Sequence, residues 1–165
     1  MLLTVSGGGT LSPEPSRERW VPGMNHIQGK WDKLPIKTRN EFALRWRAYP
    51  ESVYLTRSLV SQACEAWGLA RLDYVGRTIM SELATNAVVH AVEGHEIQAW
   101  VTLLDGAVEF RVWDPSHAPP VVPDADIEAE GGRGLMMVRL LATGGCGYRH
   151  VGGGRGKVVW ARLAL

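Results

Sequence analysis

Very little in this chain is extreme, and its absences narrow the class first. Of 165 residues only two are cysteines, Cys64 and Cys146. They offer no metal-ligand spacing and no disulfide framework, and they read as buried, reduced thiols of a cytoplasmic protein. No apolar run approaches the roughly 20 residues of a membrane span. The start, MLLTVSGGGT, lacks the basic flank and long apolar core of a secretion signal. Net charge is only +1, so no strong field draws the chain to nucleic acid or to a membrane surface. Internal repeats are absent too. What is there, 45% hydrophobic and 21% charged, is the balance of a soluble globular protein long enough for one domain with its own core.

Residues 1–40 stand apart. They hold glycines 7–9, prolines 13, 15, 22 and 35, and six Lys/Arg against three Asp/Glu. With so little periodicity they read as a flexible N-terminal tail, and residues 41–165 as the domain. Trp20 and Trp31 either dock on that domain or meet a partner. Met24 offers an internal start.

From residue 41 the pattern tightens. FALRWRAYP (42–50) alternates apolar and basic residues as a half-buried strand does, and Pro50 stops it. Ser52 is placed to cap a helix running to Trp67, with Val53, Leu55, Leu59, Val60 and Ala63 on one side and Gly68 as the stop. A second helix spans Leu72 to Ala91, its core stripe Leu72, Val75, Ile79, Leu83 and Ala87. IQAWVTLL (97–104) and AVEFRVWD (107–114) flank Asp105-Gly106, a strong hairpin signal. A proline-rich acidic loop covers 115–130, a third helix 133–142. CGYRHV (146–151) and KVVWARLAL (157–165) form a last hairpin. The expected fold is an α/β sandwich: a largely antiparallel, mixed sheet of about five strands with about three helices on one face.

Four motifs carry chemistry. Glu82 and Asn86, four apart in SELATNAVVHA (81–91), share a helix face. A carboxylate there can serve as general base and an amide oxygen can ligate Mg²⁺, though the spacing alone equally suits a solvated face. His90 continues that face, where the helix dipole favours a histidine without any catalytic part. Asp114 ends a strand; it can accept from the amino group of a bound base, or simply open a turn before Pro115. Gly131-Gly132-Arg133-Gly134 leads into a helix, where free N–H groups and close backbone approach suit phosphate, with Arg133 adding charge. GGGRGKV (152–158) imitates a P-loop but has Val151 and Val158 where Gly and Ser/Thr are needed, and only a strand follows. It reads as a hairpin turn whose Arg155 and Lys157 are surface charges.

Together these motifs resemble the histidine-kinase-like (GHKL) ATPase superfamily, and within it the single-domain anti-sigma-factor serine/threonine kinases of actinobacteria. ELATNAVVHA is similar to their N box, DPSHAPP to the first glycine box and GGRGL to the second, over roughly residues 42–165. The resemblance implies the Bergerat fold, with ATP and Mg²⁺ as ligands. It implies Glu82 as the catalytic base, Asn86 on Mg²⁺ and Asp114 on the adenine amino group. Ser116 and the stretch Gly131, Gly132, Arg133, Gly134 and Leu135 would complete the nucleotide site, under a lid at 115–130. The acids Asp124, Asp126, Glu128 and Glu130 in that lid are expected to face solvent or a basic partner. Implied partners are a sigma factor and its anti-sigma-factor antagonist, with homodimerisation common among relatives and no direct contact with nucleic acid or membrane. Two motifs depart from the superfamily: Ser116 replaces a glycine, and Lys157-Val158 replaces a Gly-Thr pair, leaving one nucleotide contact open. The rival readings are an ATP-gated binder that transfers nothing and an ATPase acting on itself or on a larger machine.

Overall fold

The computed structural model describes residues 40–91, 93–120, 133–151 and 153–165. The tail, most of the lid with its four acids, and Gly131 and Gly132 therefore lie outside the described residues. The elements run β1 (Glu41–Arg47), α1 (Tyr54–Ala66), α2 (Asp73–His90), β2 (Glu96–Leu104), β3 (Ala107–Asp114), α3 (Arg133–Leu141), β4 (Cys146–His150) and β5 (Lys157–Ala164). The strands form one sheet in the order β1-β2-β3-β5-β4, with all four pairings antiparallel. This is the expected sandwich, with an antiparallel rather than a mixed sheet. Gly106 closes the β2–β3 hairpin at φ 75°, a left-handed conformation that glycine reaches without steric cost.

Strand periodicity sorts the sheet into two faces. Ile97, Ala99 and Val101 of β2, Val108, Phe110 and Val112 of β3, and Val159, Ala161 and Leu163 of β5 are all buried. They share one core with Leu59, Val60 and Ala63 of α1, Ile79, Leu83 and Ala87 of α2, and Leu135 and Val138 of α3. Both cysteines are buried. The alternate residues make a face of charge and aromatic rings. Arg111 pairs with Glu41 at 2.6 Å and lies over Trp100, while Arg162 pairs with Glu109 at 2.7 Å and lies over Trp160. Register sets these neighbours, since Trp100 stands opposite Arg111, Arg111 opposite Trp160, and Glu109 opposite Arg162.

Two boundaries differ from expectation. β1 ends at Arg47, and Pro50–Val53 forms a 3-10 turn before α1. Proline's fixed φ suits a first helical position, so Pro50 begins this turn as well as ending the strand region. Ser52 does not cap α1: its hydroxyl donates backwards to the carbonyls of Arg47 and Tyr49. α1 starts without a side-chain cap. Ser favours such local backbone bonds wherever a turn brings a carbonyl within reach.

α2 crosses the sheet at Gly76, where an added Cβ would stand 2.9 Å from the Phe110 ring and 3.0 Å from Val60. Gly76→Val is expected to lower the unfolding free energy by about 1–3 kcal/mol through overpacking. Urea denaturation checks this, and an unchanged midpoint would show that the α2–β3 contact can relax.

Candidate functional site

The site is built where the end of β3 and the start of β5 meet α2 and α3. Glu82 and Asn86 sit on α2, both half-buried at the margin between the core stripe and solvent. Asn86 Oδ1 is buried and has no hydrogen-bond partner among the described residues. Glu82 abuts the first turn of α3: a Cβ on Gly134 would run into the Glu82 carboxylate. Glycine at 134 thus lets the helix start approach the acid. Arg133 is exposed beside it, and Leu135 points into the core. His90 is exposed at the last position of α2.

Asp114 is the last residue of β3 and is fully buried. Lys157, the first residue of β5, is its register partner and is equally buried. Its Nζ donates to Asp114 Oδ1 at 2.9 Å, and the Ser116 N–H donates to the same oxygen at 2.9 Å. Asp114 Oδ2 is buried with no partner among the described residues. Desolvation pushes the Asp114 carboxyl up from its ordinary value; the hydrogen bond and charge of Lys157, then the Ser116 N–H and the charge of His90, pull it back. The Ser116 hydroxyl accepts from the Ala118 N–H at 3.2 Å, shaping the chain just past the strand.

The surface placement expected for Lys157 is therefore wrong, and strand parity is the reason. Val159, Ala161 and Leu163 face the helices, so Lys157 does too, directly across from Asp114. Val158 belongs to the other face, opposite Trp113. The hydroxyl missing at 158 could not have reached Asp114 from there. Arg155 is exposed as expected, and its carbonyl accepts from Trp113 Nε1 at 3.1 Å. Gly156, between them, has φ 96°, and a Cβ there would collide with the Asp114 carbonyl. The tight approach that seats Lys157 on Asp114 thus depends on glycine at 156.

A family model described as a histidine kinase-like ATPase domain matches residues 46–163. The chain belongs to this family. No curated protein matches it. The match spans β1 to β5, so it covers every described residue of the site.

A histidine kinase-like ATPase domain implies ATP, with Mg²⁺ its usual companion, and the residues present fit both. A buried carboxylate oxygen with no donor among the described residues, Asp114 Oδ2, suits an amino N–H of a base. A buried amide oxygen with no donor among the described residues, Asn86 Oδ1, suits a hard cation. Among the described residues no cluster of three or more His, Cys, Asp or Glu could hold a metal by itself. Mg²⁺ held by one protein oxygen together with substrate phosphates fits that composition. No helix among the described residues is long and apolar enough to cross a membrane.

Proposed function

We propose that this ATPase domain is a cytoplasmic protein serine/threonine kinase of the anti-sigma type. It holds a sigma factor and phosphorylates the antagonist protein that would displace it. The observation that carries the reading is the pair of buried acceptors, Asn86 Oδ1 and Asp114 Oδ2, which have no partner among the described residues. They occur at the two positions where the resemblance calls for a cation ligand and a base reader. Unmet buried acceptors are costly, so a native structure that keeps them points to a ligand.

In this reading Asp114 accepts from the base amino group and Asn86 holds the cation. Arg133 and the start of α3 lie at the phosphate end. Bound Mg-ATP supplies the γ-phosphoryl group. Glu82 takes the proton of the attacking serine hydroxyl as the new O–P bond forms and the bond to the β-phosphate oxygen breaks. ADP leaves, and the proton remains on Glu82 until solvent removes it.

The test is transfer from γ-labelled ATP to antagonist proteins carrying a target serine. Label on that serine is the expected result. No label in any antagonist, with nucleotide still shifting partner affinity, would replace the kinase with an ATP-gated binder.

A further inference from the structure

The two oxygens of Asp114 are treated unequally. Oδ1 accepts from both Lys157 Nζ and the Ser116 N–H, each at 2.9 Å, while Oδ2 accepts from nothing among the described residues. A carboxylate held by two donors on one oxygen cannot turn without breaking a charge-assisted bond. Both side chains of the pair are fully buried, so bulk water does not compete for the bond.

We propose that Lys157 is the positioning residue of the base site, holding Asp114 as a fixed anion with Oδ2 reserved for an amino N–H of the purine. This rests on the ATP-binding reading and adds a residue to it. Lys157 need not touch the base; it acts through the carboxylate. With Oδ1 committed to two donors, any proton taken up by Asp114 goes to Oδ2 and turns the acceptor into a donor facing the amino group. Lys157 opposes that event, because protonation would leave its own ammonium buried without a counter-charge. Among the described residues, the charged groups acting on Asp114 are Lys157 from β5 and His90 from α2. Ser116 contributes only its backbone N–H.

The test compares binding of ATP with that of purine riboside 5′-triphosphate, the same nucleotide without the amino group, between pH 6 and 9. The proteins are the wild type, Lys157→Met and Lys157→Arg, with His90→Gln as a control for a second source of pH dependence. The wild type is expected to prefer ATP by about tenfold or more, as suits a hydrogen bond to a charged acceptor. That preference stays level across the pH range. In Lys157→Met it collapses toward unity at the acid end and recovers as pH rises, and Lys157→Arg restores it. General loosening of the fold would weaken both nucleotides alike and leave the ratio unmoved. A Lys157→Met ratio equal to that of the wild type at every pH overturns the proposal while leaving ATP binding intact. If that variant does not fold, the wild type decides: a preference that fades toward acid pH overturns the proposal, and a level one supports it. A wild type that binds neither nucleotide removes the ATP reading itself, and this inference with it.

Discussion

Lys157→Met is expected to lower the unfolding free energy by about 3–5 kcal/mol at pH 8, the usual loss when one partner of a buried ion pair is removed. The loss should be smaller at pH 5. Lys157 and Asp114 are both wholly excluded from solvent, 2.9 Å apart. Without the ammonium, the Asp114 carboxylate keeps the Ser116 N–H as its one hydrogen-bond donor among the described residues. Burial already raises its folded-state value above the ordinary 3.8, and losing the lysine raises it further. The folded variant then keeps a proton that the unfolded chain releases. Stability accordingly falls as pH climbs from the unfolded value through the folded one. Urea unfolding of both proteins at pH 5 and pH 8 measures the difference. An equal loss at both would mean that packing of the lysine stem, not its charge, supports the fold.

Glu82→Gln should reduce phosphoryl transfer by about 10²–10⁴-fold, the range for losing a positioned general base. Nucleotide affinity and folding should change little. Glutamine has the same length and shape, so it fits the same room against Gly134 at the start of α3. Asn86 and Asp114, which would hold cation and base, are untouched. Single-turnover transfer measured beside ATP titration separates the two effects. A loss below tenfold would place the base elsewhere; joint loss of transfer and affinity would make Glu82 a binding residue instead.

The parts of this fold written in short-range pattern were legible before any coordinates. The stripe Ile79, Leu83, Ala87 is buried as its spacing requires, and Asp105-Gly106 turns the β2–β3 hairpin. Pairing between strands distant in sequence carries no such local mark. Nothing near Asp114 announces that its partner lies 43 residues ahead, across the β3–β5 ladder. One clue was present: the period-two set Val159, Ala161, Leu163 extends back to position 157. Lysine's preference for solvent argued against following it, and a matched buried carboxylate overrode that preference. Ser52 shows the opposite limit. Its residue type suited a cap, but Pro50 had already begun a turn that drew the hydroxyl backwards.

The sheet order has a kinetic consequence. β2–β3 and β4–β5 are hairpins of neighbours in sequence, so each can zip up locally, whereas β3–β5 joins one to the other. Contacts between distant segments carry the larger loop-closure cost and form late. Asp114 and Lys157 are the terminal rung of that seam. The Asp114–Lys157 pair therefore comes into being only when the two hairpins close on each other, and a ligand seated on Asp114 would act as a clasp across a long-range join of the sheet.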